Sequence, residues 1–195
     1  NFNFDLKNKK FRIKKPNFNY QEVNFYSEEI FVENVKNNYQ VKGDLANKEG
    51  LLDFKIFSKI FNFNLDFLEK NKILAKTYNK FKFNINSNRK IEDLDLSSKI
   101  HFKEIFTDKK IQNLISFQDV TINTNYKKKK LNINIDSGYN FLNKEYKNNK
   151  NDKINVKILR EKKEDFKIEV FIKNTNNSIS SRELYNYIKY KKETI

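Results

Sequence analysis

Several residue types are missing or scarce in this chain, and each absence excludes a class of chemistry. The 195 residues contain no cysteine, no methionine and no tryptophan, together with one proline, three glycines and one histidine. Without cysteine there is neither a disulfide framework nor a thiolate metal site. Three scattered glycines cannot build a phosphate-binding loop of the GxGxxG or P-loop kind.

The single histidine, His101, stands between Ile100 and Phe102, on the polar phase of an alternating segment. A catalytic histidine needs positioned partners, and no cysteine is present to share a zinc site or a Cys-His pair. The carboxylates stand mostly beside lysines, as in residues 162–165, which is typical of solvated charge pairs. The sequence therefore predicts a protein that is not an enzyme and that carries no cofactor or metal.

Positive charge is abundant, with 40 lysines and arginines against 25 acidic residues and a net charge of +15. Only four of the 40 are arginine, the residue best suited to bidentate recognition of phosphates and bases. Lys, Asn, Ile and Phe, which have A- and T-rich codons, make up 108 of the 195 residues, so base composition explains much of this bias. Because the chain lacks methionine and starts at Asn1, we expect it to be a piece of a longer protein.

The dominant pattern is an alternation of apolar and polar residues that recurs almost to Ile172. Successive side chains of a strand point to opposite faces, so the alternation makes one face of a sheet apolar and the other polar. The clearest runs are Phe2-x-Phe4-x-Leu6, Phe81-x-Phe83-x-Ile85, Leu131-x-Ile133-x-Ile135, Ile154-x-Val156-x-Ile158 and Phe166-x-Ile168-x-Val170-x-Ile172. The apolar face has to meet another sheet, close on itself or hold an apolar ligand.

The spacing of the runs predicts antiparallel meanders, because parallel strands need long crossover connections. Turn-forming residues stand between many runs, for example at Gly43-Asp44, 48–50, 86–90, 127–130 and Ser137-Gly138. Helical spacing occurs at 56–61, at 111–115 and near the C-terminus, where Ser180 to Glu183 has capping-box spacing. We predict an all-β fold, in which residues 1–175 form a long, curved, taco-like antiparallel meander sheet with an open apolar groove. A few short helices, including an amphipathic one at 178–192, complete it.

Two features admit more than one function. The apolar stripe is either the core of an ordinary β-sandwich or the lining of an open groove for acyl chains. The run Lys127-Lys128-Lys129-Lys130 is a polar hairpin tip, a nucleic-acid contact with salt-dependent binding, or a contact to anionic lipid headgroups. We favour the hairpin tip, because arginine is so scarce.

Part of the sequence resembles a bacterial family. Tyr39-Gln40-Val41-Lys42-Gly43-Asp44-Leu45, followed by Lys48-Glu49-Gly50-Leu51-Leu52-Asp53-Phe54, is similar to a recurrent unit of the AsmA-like proteins, in which a strand ends in a Gly-Asp-Leu type turn and a second strand returns. Residues 81–85, 94–102 and 120–135 look like the same unit without the glycine. The resemblance implies a groove-shaped sheet in the periplasm, tethered to the inner membrane of a Gram-negative-type bacterium, that conducts phospholipid toward the outer membrane.

On this interpretation the chain binds phospholipid passively and is held at the membrane by an anchor outside this segment. Acyl chains lie along the apolar stripe, and Lys127, Lys128, Lys129 and Lys130 contact anionic headgroups; no nucleic acid is expected. The candidate groove-lining residues are Phe81, Phe83, Ile85, Leu131, Ile133, Ile135, Ile154, Val156, Ile158, Phe166, Ile168 and Val170. Two alternatives stay open: a basic nucleic-acid-binding protein, and a structural or adhesive β-rich surface segment without a transported ligand.

Overall fold

The computed structural model describes residues 2–5, 10–20, 23–36, 38–53, 72–106, 115–141, 149–162 and 164–173. In these residues twelve strands form one antiparallel sheet, and none of the described residues is helical. The strands are β1 (Phe2–Asp5), β2 (Lys10–Lys14), β3 (Asn17–Tyr20), β4 (Val23–Tyr26), β5 (Glu29–Val35), β6 (Asn38–Asp53), β7 (Lys72–Ile85), β8 (Ile91–Phe106), β9 (Ile115–Lys127), β10 (Lys130–Phe141), β11 (Lys153–Glu161) and β12 (Lys167–Lys173). The predicted all-β meander is confirmed.

The sheet is open, with β1 at one edge and β12 at the other. From β5 to β12 each strand pairs with the next one along the chain, as expected for a meander. Of the predicted helices, 56–61 and 178–192 lie outside the described residues. The third, at 111–115, is wrong at Ile115, which begins β9, while its other residues lie outside the described ranges.

Strands β2 and β3 continue one another, and β4 and β5 do the same, so the four short strands form one long, interrupted hairpin. Two backbone hydrogen bonds cross the interruption, from the Lys15 N–H to the Glu28 carbonyl at 3.0 Å and from the Ser27 N–H to the Pro16 carbonyl at 3.1 Å. Proline has no N–H to give to a ladder, and Lys15 has a left-handed φ of 49°. The single proline therefore lies at the break between β2 and β3, and the pairing register is the same on both sides of the break.

Three β-bulges keep the apolar residues on one face where simple alternation would fail. In β8, Ile91 pairs with Ile85 and Leu96 pairs with Phe81, so an odd spacing on β8 opposes an even spacing on β7. The extra residue is absorbed near Asp93, whose φ of 51° is left-handed, a region that Asp tolerates better than most residues. The other bulges lie at 47–50 of β6 and at 118–121 of β9.

Three of the predicted turns are strand interiors. Gly43-Asp44 and residues 48–50 lie within β6, and Ser137-Gly138 lies within β10, so the prediction of turns there is wrong. At Gly43 the physical reason is a close approach: an added Cβ would lie 2.8 Å from the backbone oxygen of Glu29. The glycine is needed for strand packing and not for a reversal of the chain.

The short turns that follow β7, β9 and β11 lie at the same end of the sheet, which we call the turn end, because the strands alternate in direction. Lys128 and Lys129 have φ values of 50° and 63°, as in a two-residue type I′ hairpin. In the turn before β8, the Asn86 side-chain oxygen accepts hydrogen bonds from the backbone N–H groups of Asn88 and Lys90. The turns predicted at 86–90 and 127–130 are confirmed.

A cluster of buried apolar side chains lies in the middle of the sheet, on β7, β8 and β9. Ala75, Ile100, Phe102 and Val120 are each no more than 5% exposed and form one cluster. Around it pack half-buried apolar residues: Ile73, Ile105, Phe117, Ile122 and Ile135. Burial of each large apolar side chain contributes about 1.5–3 kcal/mol, so this cluster stabilises the middle of the sheet.

Candidate functional site: the apolar face of the sheet

Strand register places most of the predicted groove-lining residues side by side. Ile133 pairs with Ile158, which pairs with Ile168, and Ile135 pairs with Val156, which pairs with Val170. Directly opposed residues of an antiparallel pair lie on the same face. These residues, with Leu131 and Ile154 in the same phase, belong to what we call the apolar face of the sheet.

The predicted groove-lining residues of β7 lie on the same face, with β8 and β9 between them and β10. Phe81 pairs with Leu96 of β8, Leu96 with Tyr126 of β9, and Tyr126 with Leu131 of β10. The rings of Phe81 and Phe83 stack with their centroids 5.9 Å apart. Phe83 and Ile85 share the phase of Phe81, so the sheet joins both predicted groups on one face.

Exposure rises from the middle of the apolar face toward the β12 edge. Leu131 is buried, and the predicted residues of β7 and β11 are half-buried. On β12, Ile168 is 60% exposed and Val170 is 38% exposed. Phe166 precedes β12 and lies beneath the Arg160 guanidinium, 4.9 Å from the ring centre. The apolar face is therefore packed at its centre and uncovered at this edge.

A row of polar side chains crosses the apolar face, and sequence alternation did not predict it. Asn47, which is 1% exposed, lies at the bulge in β6 and bonds the backbone of β7. Its side chain donates to the Ala75 carbonyl at 2.9 Å and accepts from the Thr77 N–H at 2.8 Å and the Thr77 hydroxyl at 2.6 Å. The buried amide is thus satisfied on both sides, as a buried polar group has to be.

The polar side chains then shift by two residues along β7, where Asn79 donates to the Thr77 hydroxyl at 3.3 Å, and from Asn79 the row runs across β8 and β9. The Ser98 hydroxyl donates to the Asn79 side-chain oxygen at 2.6 Å, and the next residue in the row, Thr124, is 6% exposed. On β10 to β12 the same row consists of Ile133, Ile158 and Ile168. The polar row therefore lies between Phe81 and the buried cluster, whereas its positions on the last three strands are apolar. Arg160 and the buried Ser137, which pair with Leu131 and Ile154, also lie on this face.

The opposite face, which we call the polar face, carries amides and ion pairs. Asn155 donates to the Asn134 oxygen at 3.0 Å and to an Asp136 carboxylate oxygen at 2.6 Å. Two aromatic rings on this face lie under cations. The Lys42 Nζ is 4.6 Å from the centre of the Phe31 ring, and the Lys157 Nζ is 5.3 Å from the centre of the Phe171 ring. The predicted division into one apolar and one Lys/Asn-rich face is confirmed for these strands.

The Lys127–Lys130 run forms the tip of the β9–β10 hairpin, as the hairpin interpretation predicts. Lys127 Nζ lies 3.7 Å from a carboxylate oxygen of Asp95, and Lys130 Nζ lies 2.9 Å from one of Glu161. Both pairs are exposed, so each contributes about 0–1 kcal/mol. Two of the four lysines are therefore paired with carboxylates of the neighbouring strands β8 and β11.

The described part of the chain has few side chains that are typical of catalytic or metal sites. His101 lies half-buried on the polar face, with its Nδ1 3.4 Å from the Thr121 hydroxyl. No group of three or more His, Cys, Asp or Glu residues could hold a metal ion there, and no described helix is long and apolar enough to cross a membrane. Burial, with a smaller effect from the charge of Asp152, raises the pKa of the Tyr139 hydroxyl above its ordinary value of 10.0.

In comparisons with known proteins, no family model, curated sequence or solved structure matches this chain. The resemblance to the AsmA-like family stays a prediction from the sequence. The turn that forms part of the quoted unit, at Gly43-Asp44-Leu45, is strand interior in β6. The class that the fold defines is an open, single-sheet β-meander with one apolar face.

Proposed function

We propose that this chain is a segment of an AsmA-like lipid-transfer protein, and that its apolar face binds the acyl chains of phospholipids. The observation that carries the proposal is the pair of adjacent apolar rows on β10, β11 and β12, which become exposed at Ile168 and Val170 on β12. An apolar surface that is open to water is costly unless it meets a partner or ligand. Acyl chains supply apolar contact along the strands without needing any specific polar group.

The proposed mechanism is passive. Binding draws on apolar burial, at about 25 cal/mol for each Å² removed from water, and the headgroups stay in solvent. The proposal extends to a periplasmic location, with a tether to the inner membrane outside this segment and lipid flow toward the outer membrane. No catalytic group is required for such movement.

The test compares two exposed apolar residues of β12 that point to opposite faces. Ile168 pairs with Ile158 on the apolar face, whereas Phe171 pairs with Asn155 on the polar face. Phe171 is 54% exposed, which is close to the 60% of Ile168, so the two substitutions disturb packing to a similar extent. Phospholipid that copurifies with the chain is extracted and quantified by mass spectrometry for wild type, Ile168→Asp and Phe171→Asp.

We expect Ile168→Asp to reduce the bound phospholipid at least fivefold and Phe171→Asp to leave it near the wild-type amount. Circular dichroism of each variant confirms that the sheet is intact. A wild-type chain that carries no phospholipid, or an equal loss in both variants, would contradict the proposal. The nucleic-acid alternative has less support, because Lys127 and Lys130 already lie beside carboxylates.

A further inference from the structure

The apolar face of β10, β11 and β12 carries one charged residue, Arg160. It pairs with Leu131 near the end of β11, and Ile158 and Val156 follow on the same face of β11 at steps of about 7 Å. Every other residue of these three strands on that face is uncharged. A cation therefore lies at the turn end of the surface to which we assign the acyl chains.

The surroundings of Arg160 hold its guanidinium without neutralising its charge. The guanidinium lies over the Phe166 ring, 4.9 Å from the ring centre, in a cation–π contact. Its Nε is buried and has no hydrogen-bond partner among the described residues. In the part of the chain that the structure describes, no ion pair joins Arg160 to a carboxylate.

An arginine on the polar face of the sheet shows the difference. Arg12 also lies over an aromatic ring, with its guanidinium 5.6 Å from the centre of the Phe31 ring. The Nε of Arg12, however, lies 3.1 Å from a carboxylate oxygen of Glu29. Arg160 has the aromatic contact without a carboxylate partner among the described residues, which leaves its positive charge available to an anion.

Arg160 also lines a pocket of about 620 Å³ at the turn end, and this volume is within the range of small-molecule sites. The other charged lining residues are all exposed and include both signs, and three of them, Lys127, Lys130 and Lys167, already lie beside carboxylates. Their attraction for an anion is therefore weak. Arg160 is the charged lining residue that is half-buried, so its interaction with an anion is screened less by water.

We propose that Arg160 binds the phosphate of a phospholipid whose acyl chains lie along Ile158 and Val156. This inference rests on the proposed acyl-chain binding, and it gives the lipid a direction on the sheet, with the headgroup at the turn end. The planar guanidinium matches two phosphate oxygens, and its N–H groups donate charge-assisted hydrogen bonds to them. The hydrocarbon stem of Arg160 covers apolar surface, while the rest of the headgroup stays in water.

The test compares two lipids that have the same acyl chains. Dihexanoylphosphatidylcholine and dihexanoylglycerol carry the same two short chains, but only the first has a phosphate. Its headgroup has no net charge, so the +15 net charge of the protein does not favour it. Each lipid is titrated into the isotope-labelled chain below the concentration at which it self-associates. The dissociation constant is measured from the NMR shifts of the backbone amides.

We expect the wild-type chain to bind dihexanoylphosphatidylcholine at least fivefold more tightly than dihexanoylglycerol. Arg160→Gln is expected to bring the two dissociation constants within twofold of each other, without weakening the binding of dihexanoylglycerol. Circular dichroism confirms that the sheet of this variant is intact. Equal binding of the two lipids by the wild-type chain, or an unchanged preference in Arg160→Gln, would overturn the proposal.

Lys157→Gln is the matched control for Arg160→Gln. Lys157 lies on the same strand and over an aromatic ring, that of Phe171, but on the polar face. The control thus removes one charge and one cation–π contact, and it is expected to keep the preference for the phosphate-bearing lipid. An equal loss of preference in Lys157→Gln would show that the overall charge decides and would overturn the proposal.

A direct readout keeps the proposal testable if Arg160→Gln does not fold. The Nε–H signal of Arg160 is followed in the wild-type chain during both titrations. Because no described protein group accepts from this N–H, a phosphate at the guanidinium is expected to shift the signal downfield. Dihexanoylglycerol is expected to leave the signal in place. A signal that stays in place when dihexanoylphosphatidylcholine saturates the chain would contradict a contact with Arg160.

Failure of this inference and failure of the proposed function give different results. If the wild-type chain binds both lipids equally and Ile168→Asp weakens both, the acyl-chain surface stands and the phosphate contact is wrong. If neither lipid binds, the acyl-chain surface itself is wrong, and the inference falls with it. Inorganic phosphate is titrated separately: binding at least tenfold weaker than that of dihexanoylphosphatidylcholine supports a lipid phosphate, and equal binding overturns that assignment.

Discussion

The side chain of Asn47 holds Thr77 by two hydrogen bonds, one to its backbone N–H at 2.8 Å and one to its hydroxyl at 2.6 Å. The same asparagine donates to the Ala75 carbonyl on the other side of the bulge. A single buried amide thus joins β6 to β7 at the point where the pairing register shifts. Loss of such a group leaves several buried polar atoms without partners.

We expect Asn47→Ala to lower the free energy of unfolding by about 2–4 kcal/mol, because it leaves buried hydrogen-bonding groups unsatisfied. Urea unfolding followed by circular dichroism measures the change. Asn125→Ala is the control, since Asn125 is exposed on the polar face. A loss below about 0.5 kcal/mol for Asn47→Ala, as at an ordinary surface site, would show that the bulge does not depend on this amide.

The second prediction concerns the stability of a variant at Gly43, whose backbone lies very close to β5. A methyl group at this position would meet the Glu29 carbonyl oxygen at 2.8 Å, and a backbone atom cannot move aside cheaply. We expect Gly43→Ala to destabilise the chain by about 1–3 kcal/mol through overpacking. The measurement is the midpoint of thermal or urea unfolding.

Gly138→Ala is the matched control for that substitution. An added Cβ at Gly138 would meet its nearest atom, the Gln118 carbonyl oxygen, at an ordinary 3.5 Å, and no described glycine has a positive φ. The loss of unfolded-state freedom then dominates, so this variant is expected to be neutral or more stable by up to about 1 kcal/mol. Equal destabilisation by both alanines would mean that the contact with Glu29 is not the cause.

The buried hydroxyl of Tyr139 predicts a loss of stability in alkali. Burial, followed by the charge of Asp152, raises the pKa of this group above 10.0, so the folded state binds its proton more tightly than the unfolded state does. This contribution to stability is fully present below about pH 10 and is lost as the pH rises through the higher folded pKa. Urea unfolding at a series of pH values across this range measures it.

Tyr139→Phe removes the titrating group and is expected to flatten the alkaline decline in the free energy of unfolding. Tyr78→Phe, at a residue that is 45% exposed, is the control and should keep the decline. If the two variants behave alike in alkali, Tyr139 is not the source of the pH dependence.

The alternation of the sequence was sufficient to predict the sheet and its two faces. Runs such as Leu131 to Ile135 and Ile154 to Ile158 form paired strands whose apolar residues oppose one another. The period-two pattern carries this information directly, because side-chain direction in a strand is fixed by the backbone. The tip at Lys127–Lys130 was also predictable, since a polar run between two alternating segments forms a hairpin.

The interruptions of the sheet were not predictable in the same way. Glycine is typical of turns, so the sequence predicted turns at Gly43 and Gly138. Whether a glycine forms a turn or allows a close contact between strands depends on the neighbouring strand. The bulge at Asp93 and the polar row that starts at Asn47 also depend on pairing partners that are distant in sequence. The exposure of Ile168 follows from its position on an edge strand, which periodicity alone does not give.

The central claim is that the apolar face of this sheet contacts phospholipid, and site-specific photo-crosslinking tests it most directly. A photoreactive residue is placed at Phe83, Ile133 or Val156 on the apolar face, and at the neighbouring Asn84, Asn134 or Asn155 on the polar face, in an anchored form of the chain in a Gram-negative host. We predict phospholipid adducts at the three apolar positions and none at the three asparagines. Protein-internal crosslinks alone, or equal lipid labelling at both sets, would contradict the claim.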